Sequence, residues 1–260
     1  MQVRDIDSST TLRVMWEVAL RDIQVLFKTP WIIISRGLSF IIQIFVFAVL
    51  ISQLVQVSEL DFFRYYAVGS VITTIASIAF LIGYDIYEEA EEGVLDYLLT
   101  LPISRRQFIV SRGIGGASRA MLYVLPMFAV ITVLEGFSNP LGILLSVVLL
   151  FLLAFGITAL SITVAVAIRS ANRFDVVLAL LELTIVRAST ALYPLAFMPS
   201  YVAAFAPYSP VTFAADAVRG ALVNSVLDLT SVTGLLAFVA VFVALGATFY
   251  LRKLEGGTYA

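Results

Sequence analysis

Cysteine and histidine are both absent from the 260 residues. Their absence excludes a disulfide framework, thiol catalysis, Cys/His zinc sites and histidine-ligated haem. It also excludes Ser-His-Asp hydrolysis and the H-E-x-x-H metalloprotease helix. Charge is scarce as well: 13% of residues carry it, where a soluble domain has about 25%. A net charge of −2 is too small to select a strongly charged partner such as nucleic acid. No G-x-x-x-x-G-K-[ST] occurs, so the chain has no P-loop with which to cradle nucleotide phosphates. The Gly-rich run "RGIGGASR" at 112–119 has Ser118 where a dinucleotide fingerprint needs its third Gly. Its small residues suit close helix packing instead. No paired Asp-rich motifs suggest magnesium-dependent lipid transfer. The expectation is a non-enzyme with no catalytic, cofactor-binding or metal residues of its own.

What the chain has is apolar length. It is 61% hydrophobic with a mean hydropathy of +1.01. Several stretches approach the roughly 20 apolar residues needed to cross ~30 Å of hydrocarbon. The expected fold is an all-α polytopic membrane protein, a single domain over 1–260, with six spans. They fall at about 31–52, 65–84, 114–134, 141–168, 174–195 and 232–251. Residues 11–28 precede them as an amphipathic interfacial helix. Leu12, Met15, Trp16, Ala19, Leu20, Ile23 and Phe27 recur at helical spacing opposite Arg13, Glu17, Arg21, Gln24 and Lys28. The polar start carries no signal-peptide pattern.

Lys/Arg placement orients the spans. With a cytoplasmic N-terminus, 11 of the 16 basic residues share one side: Arg4, Arg13, Arg21, Lys28, Arg105, Arg106, Arg112, Arg169, Arg173, Arg252 and Lys253. The other side has only Arg64 and Arg219, so both termini are expected in the cytoplasm. Between spans five and six, 196–231 is too apolar for an ordinary loop, and Pro199, Pro207 and Pro210 cut it into pieces too short to span. Short re-entrant helices on the outer side fit it, since irregular backbone at membrane depth must be buried against protein. Tyr193, Phe197, Tyr201, Phe205, Tyr208 and Phe213 form either an aromatic gate or an interfacial belt.

Ionisable residues inside spans are costly and are functional suspects. Arg119, Glu182 and Arg187 are the candidates, either pairing between helices or lining a substrate path. Glu182 and Arg187 stand about 140° apart on an α-helix, so each is expected to need a partner elsewhere. These two carry the alternative reading, an ion-coupled secondary transporter.

The segment 85–106 is a charged insert between two apolar spans. Asp85, Glu88, Glu89, Glu92 and Asp96 form one acidic stripe at helical spacing, flanked by Ile86, Ala90, Val94, Tyr97, Leu98 and Leu101. Gly93 weakens this helix and Pro102 ends it. A carboxylate-bearing surface in that position can dock a basic partner and pass its motion into the membrane.

The run "EEAEEGVLDYLLTLPISRRQFIVSR" resembles the signature of the ABC-2 type exporter permeases, matching at Glu89, Glu91, Gly93, Leu95, Asp96, Leu98, Leu99, Pro102, Ile103, Ser104 and Arg105. Val94 stands where the family usually has Thr, and Leu101 intervenes before Pro102. A second family-like pattern lies between spans five and six, at Pro194, Pro199, Pro210, Thr212, Asp216 and Arg219, with Ser209 for the usual Asn.

The resemblance implies a dimer of two such subunits in the cytoplasmic (inner) membrane of a prokaryote, in contact with membrane lipid. Two copies of a P-loop ABC ATPase subunit would bind ATP and Mg and drive substrate outward. It implies an ATPase-coupling interface over Tyr87, Glu88, Glu89, Glu91, Glu92, Gly93, Leu95, Asp96, Leu98, Pro102, Ser104 and Arg105, with a smaller contact at Asn172 and Arg173. It further implies an outer re-entrant gate at Pro194, Pro199, Tyr201, Pro210, Asp216 and Arg219, and spans one and five facing the partner copy. The cargo is not implied, since one fold serves drugs, glycans and lipids alike.

Overall fold

In the computed structural model the described residues are 8–28, 61–93, 105–168, 170–224 and 226–255, with isolated helical positions between 31 and 42. Among them there is no β-strand. Eight α-helices follow in order: α1 Ser8–Lys28, α2 Phe62–Glu91, α3 Arg105–Leu134, α4 Pro140–Ala167, α5 Ala171–Leu181, α6 Ser200–Ala203, α7 Pro210–Arg219 and α8 Leu229–Glu255. Two π-helical turns, Glu182–Arg187 and Gly220–Asn224, continue α5 and α7.

Among the described residues, four helices are long and apolar enough to cross a membrane: Phe62–Glu89, Gln107–Leu134, Pro140–Ala165 and Leu229–Gly246. They correspond to the second, third, fourth and sixth expected spans. The first, about 31–52, lies largely outside the described residues. The fifth is shorter than expected: its helix closes at Arg187, and 188–193 are turns. Pro194 disfavours α-conformation at Tyr193, and Thr190 N–H bonds to the Thr212 hydroxyl at 3.0 Å instead of to its own helix.

Start signals are local. Asp61 caps α2, accepting from the Arg64 N–H at 3.1 Å. Asn139 caps α4 with Pro140 at the first helical position, where a missing N–H costs nothing. Ser209 and Pro210 begin α7 in the same way, and Asp228 caps α8 through the N–H groups of Thr230 and Ser231.

Helix α2 is the axis of the bundle. It is 83% buried over its apolar window, whereas α8 is 17% buried and lies at the periphery. Small residues let α2 approach its neighbours closely. Gly83 faces the backbone of Ser161 on α4, whose hydroxyl donates to the Phe80 carbonyl at 2.6 Å. A Cβ added at Gly83 would come within 2.8 Å of the Ser161 carbonyl oxygen and closer still to its hydroxyl. Backbone cannot swing aside, so Gly83→Ala should cost about 1–3 kcal/mol by overpacking. A melt of the purified protein unchanged by this substitution would refute the close packing of α2 on α4.

The charged insert is not a separate element at its start. Helix α2 continues through Glu91, Glu92 is its C-cap, and Gly93 adopts φ +75°. That left-handed conformation suits glycine and ends a helix, so Gly93 terminates α2. Residues 94–104, including Leu95, Asp96, Leu98, Pro102 and Ser104, lie outside the described residues. Helix α3 opens at Arg105, nine residues before the expected start at 114.

Candidate functional site

The charged end of α2 holds the first cluster. Glu89 accepts from Arg21 of α1 and from Arg112 of α3, the latter at 3.1 Å. Arg112 is 1% exposed. The sequence reading counted Arg112 among the cytoplasmic-side basic residues, just before the third span; the early start of α3 brings it into the bundle. One turn before Glu89, Asp85 pairs with Arg119 of α3. That pair joins Glu88, Tyr84, Tyr123 and Leu81 around a cleft of about 260 Å³. Arg119 therefore pairs between helices.

The members of the acidic stripe thus face different surroundings. Asp85 and Glu89 are engaged inside the chain, Glu88 is exposed at the cleft rim, and Glu92 is exposed at the helix tip. The side chains of Glu91 and Arg105 lie outside the described residues. Tyr87 is buried and stacks on Phe174 of α5, centroids 4.9 Å apart and planes 10° apart. Phe174 follows Asn172 and Arg173, both exposed beside a cleft of about 760 Å³. The stack therefore brings the end of α2 to the start of α5.

The second cluster lies at mid-bundle. Glu182 and Arg187 approach to 3.6 Å, and Ser77 of α2 donates to Glu182 at 2.7 Å. The expectation that the two stand too far apart to pair is overturned, while Glu182 does take a partner on another helix, Ser77. In a π-turn, residues five apart are one turn apart, as the Ala188 N–H to Leu183 carbonyl bond shows. The π register also leaves the Ile185 carbonyl to Ser209, whose hydroxyl donates to it at 2.6 Å.

The third cluster centres on Arg219. Its guanidinium lies 3.5 Å from the ring centre of Tyr65. It donates to the carbonyls of Tyr65 (3.2 Å), Thr190 (3.3 Å) and Ala191, with Asp216 at 3.9 Å. Burial pushes the Asp216 carboxyl above the usual carboxylate range, while Arg219 pulls it back. Pro210 is buried in the α7 wall. Tyr201 is exposed on α6, with Pro199 at its N-cap and Pro194 before the one-turn helix Leu195–Phe197. Tyr193, Phe197, Phe205 and Tyr208 are exposed along the same stretch.

Sequence reasoning missed Ser77, Tyr65, and Arg21 and Arg112 as partners of Glu89. It also missed Arg64, which sits 3.2 Å from Glu135 and over the Phe137 ring. Burial raises the Glu135 carboxyl, with Asp61 adding to the effect and Arg64 opposing it. An arginine among apolar residues of a long helix, as Arg112 is, was the signal available.

A family model described as "ABC-2 type transporter" matches residues 13–223. The "Putative transport permease ycf38" of Porphyra purpurea is 28% identical over 160 residues, 60% of this chain and 54% of that protein. Its counterpart of the same name from Cyanophora paradoxa is 26% identical over 166 residues, 62% and 56% of the two chains. The chain spans about half the length of these curated relatives. The family match covers both the α1–α3 charged cluster and the Arg219 cluster, and on that basis the chain belongs to the ABC-2 type transporter family.

Proposed function

We propose that this chain is the membrane permease subunit of an ATP-driven exporter, moving substrate from the cytoplasm or inner leaflet outward. ATP and Mg are held by a separate P-loop ATPase, two copies of which dock on a dimer of permeases. In this reading the chain is one transmembrane domain with six spans, a re-entrant outer segment and both termini in the cytoplasm of a prokaryotic cell. The charge asymmetry supports the orientation, and family membership supports the ATPase partner.

The observation that carries the coupling role is the Tyr87–Phe174 stack. A push on the exposed acidic tip of α2 passes through two stacked, buried rings to α5, and so toward Glu182. Asn172 and Arg173 stand beside that stack and form the second docking contact. Among the described acidic residues, Glu92 is the one best placed to meet a basic groove on the ATPase.

Glu92→Lys should therefore leave the fold intact while weakening ATPase binding about tenfold, equal to about 1.4 kcal/mol. Co-purification and hydrolysis by the reconstituted complex measure this. Unchanged binding and unchanged coupling would remove Glu92 from the interface. The alternative, ion-coupled transport through Glu182 and Arg187, predicts movement that follows a proton or sodium gradient and survives ATP depletion.

A further inference from the structure

The Glu182–Arg187 pair has a position that lipid alone does not tolerate. Ser77, which binds Glu182, lies at the middle of the 30-residue α2. The pair therefore sits near mid-span depth, yet the Glu182 and Arg187 side chains remain 35% and 53% exposed. Val176, Leu180 and Leu183 are exposed on the same helical stretch, so the charges emerge from an otherwise apolar face. An ionised group at that depth costs a few kcal/mol unless it meets water, protein or a ligand.

The two members are unequally satisfied. Glu182 accepts from Ser77 at 2.7 Å and faces Arg187. Among the described residues, Arg187 has a single contact at 3.6 Å, well beyond the ~2.8 Å of a strong charged hydrogen bond. A guanidinium offers five donors in a planar fork suited to oxyanions. The unused capacity here is thus donor capacity. The π-turn that presents Arg187 is pinned by the Ser209 hydroxyl on the Ile185 carbonyl and by Val186, which is fully buried. The fork is consequently mounted on a fixed support.

We propose that Arg187 binds the headgroup of the transported molecule, that this headgroup is an oxyanion such as a phosphate or carboxylate on an amphiphile, and that Glu182 is the resting counter-ion it displaces. The proposal rests on the exporter reading and names the substrate class for it. The apolar tail would lie along Val176, Leu180 and Leu183.

The test uses the complete permease–ATPase complex in phosphatidylcholine proteoliposomes, with three probes of equal chain length. Dodecyl phosphate should stimulate ATP hydrolysis, whereas dodecyl maltoside and dodecyltrimethylammonium, each below its micellar concentration, should not. Arg187→Gln should raise the half-maximal dodecyl phosphate concentration about tenfold, and Arg187→Lys should restore part of the loss. Glu182→Gln removes the competing carboxylate and should lower that concentration several-fold.

These opposite signs separate headgroup binding from a structural ion pair, for which both neutral variants would weaken the response together. Equal weakening, or stimulation by trimethylammonium instead of phosphate, would overturn the proposal. A complex that never hydrolyses ATP would sink the exporter reading. The headgroup site would then be decided by binding of radiolabelled dodecyl phosphate to the purified permease, with the same two variants and the same opposite signs expected.

Discussion

Arg219→Ala should lower the melting temperature of the detergent-purified permease by roughly 6–12 °C. Arg219 ties three separate pieces of chain together: α7, α2 through Tyr65, and the turn at 190–191. Alanine would strip a donor from three carbonyls at once. The Thr190 carbonyl keeps the Tyr65 hydroxyl, and Tyr65 lies within α2. The Ala191 carbonyl is therefore the buried acceptor left unmet, at about 1–3 kcal/mol. It would also remove the cation from the Tyr65 ring, worth up to about 2 kcal/mol when desolvated. These terms overlap, and a net loss of about 3 kcal/mol is the conservative expectation. Arg219→Lys should recover only part of it, since an ammonium has neither the planar fork nor the stacking face. A variant melting within about 2 °C of the wild type would show that the 190–191 turn holds without Arg219.

Glu89→Gln should release α1 from the bundle. Glu89 is the carboxylate shared by Arg21 of α1 and the buried Arg112 of α3. Breaking a buried pair typically costs about 3–5 kcal/mol. Since Glu89 is 20% exposed, solvent screening lowers the expectation to about 2–3 kcal/mol. Glu88→Gln, at an exposed position, should stay within about 0.5 kcal/mol of wild type. Trypsin reads the difference directly, because freed α1 offers Arg13, Arg21 and Lys28. Cleavage there should accelerate in Glu89→Gln and not in Glu88→Gln. Equal rates in the two variants would mean that α1 is held by its apolar contacts alone. In that event, Glu89 would return to the docking surface beside Glu92.

The contrast between Glu89 and Glu92 shows how far a stripe can be read. Helical spacing placed Asp85, Glu88, Glu89 and Glu92 on one side of a helix, and α2 does continue through that region to Glu91. Spacing does not reveal which of these carboxylates meets a neighbouring helix, because Arg21 and Arg119 lie 68 and 34 residues away along the chain. The burial of Arg112 was missed for a related reason. Its charge put it on the cytoplasmic side, and only the packing of α3 against α1 and α2 buries it. The family signatures were legible because they depend on residue type and order, and the match over 13–223 covers both.

By itself, the sequence determined the helical membrane class and the existence of four of the spanning helices. Apolar run length is a local property, written in consecutive residues. It determined family membership too. The tertiary structure decided which charges are partners. A π-turn places Glu182 beside Arg187, where a 3.6-residue period separates them. Ser209 accommodates that register by taking the Ile185 carbonyl that it leaves over. Such a choice depends on contacts between segments distant in sequence, and no local pattern encodes it.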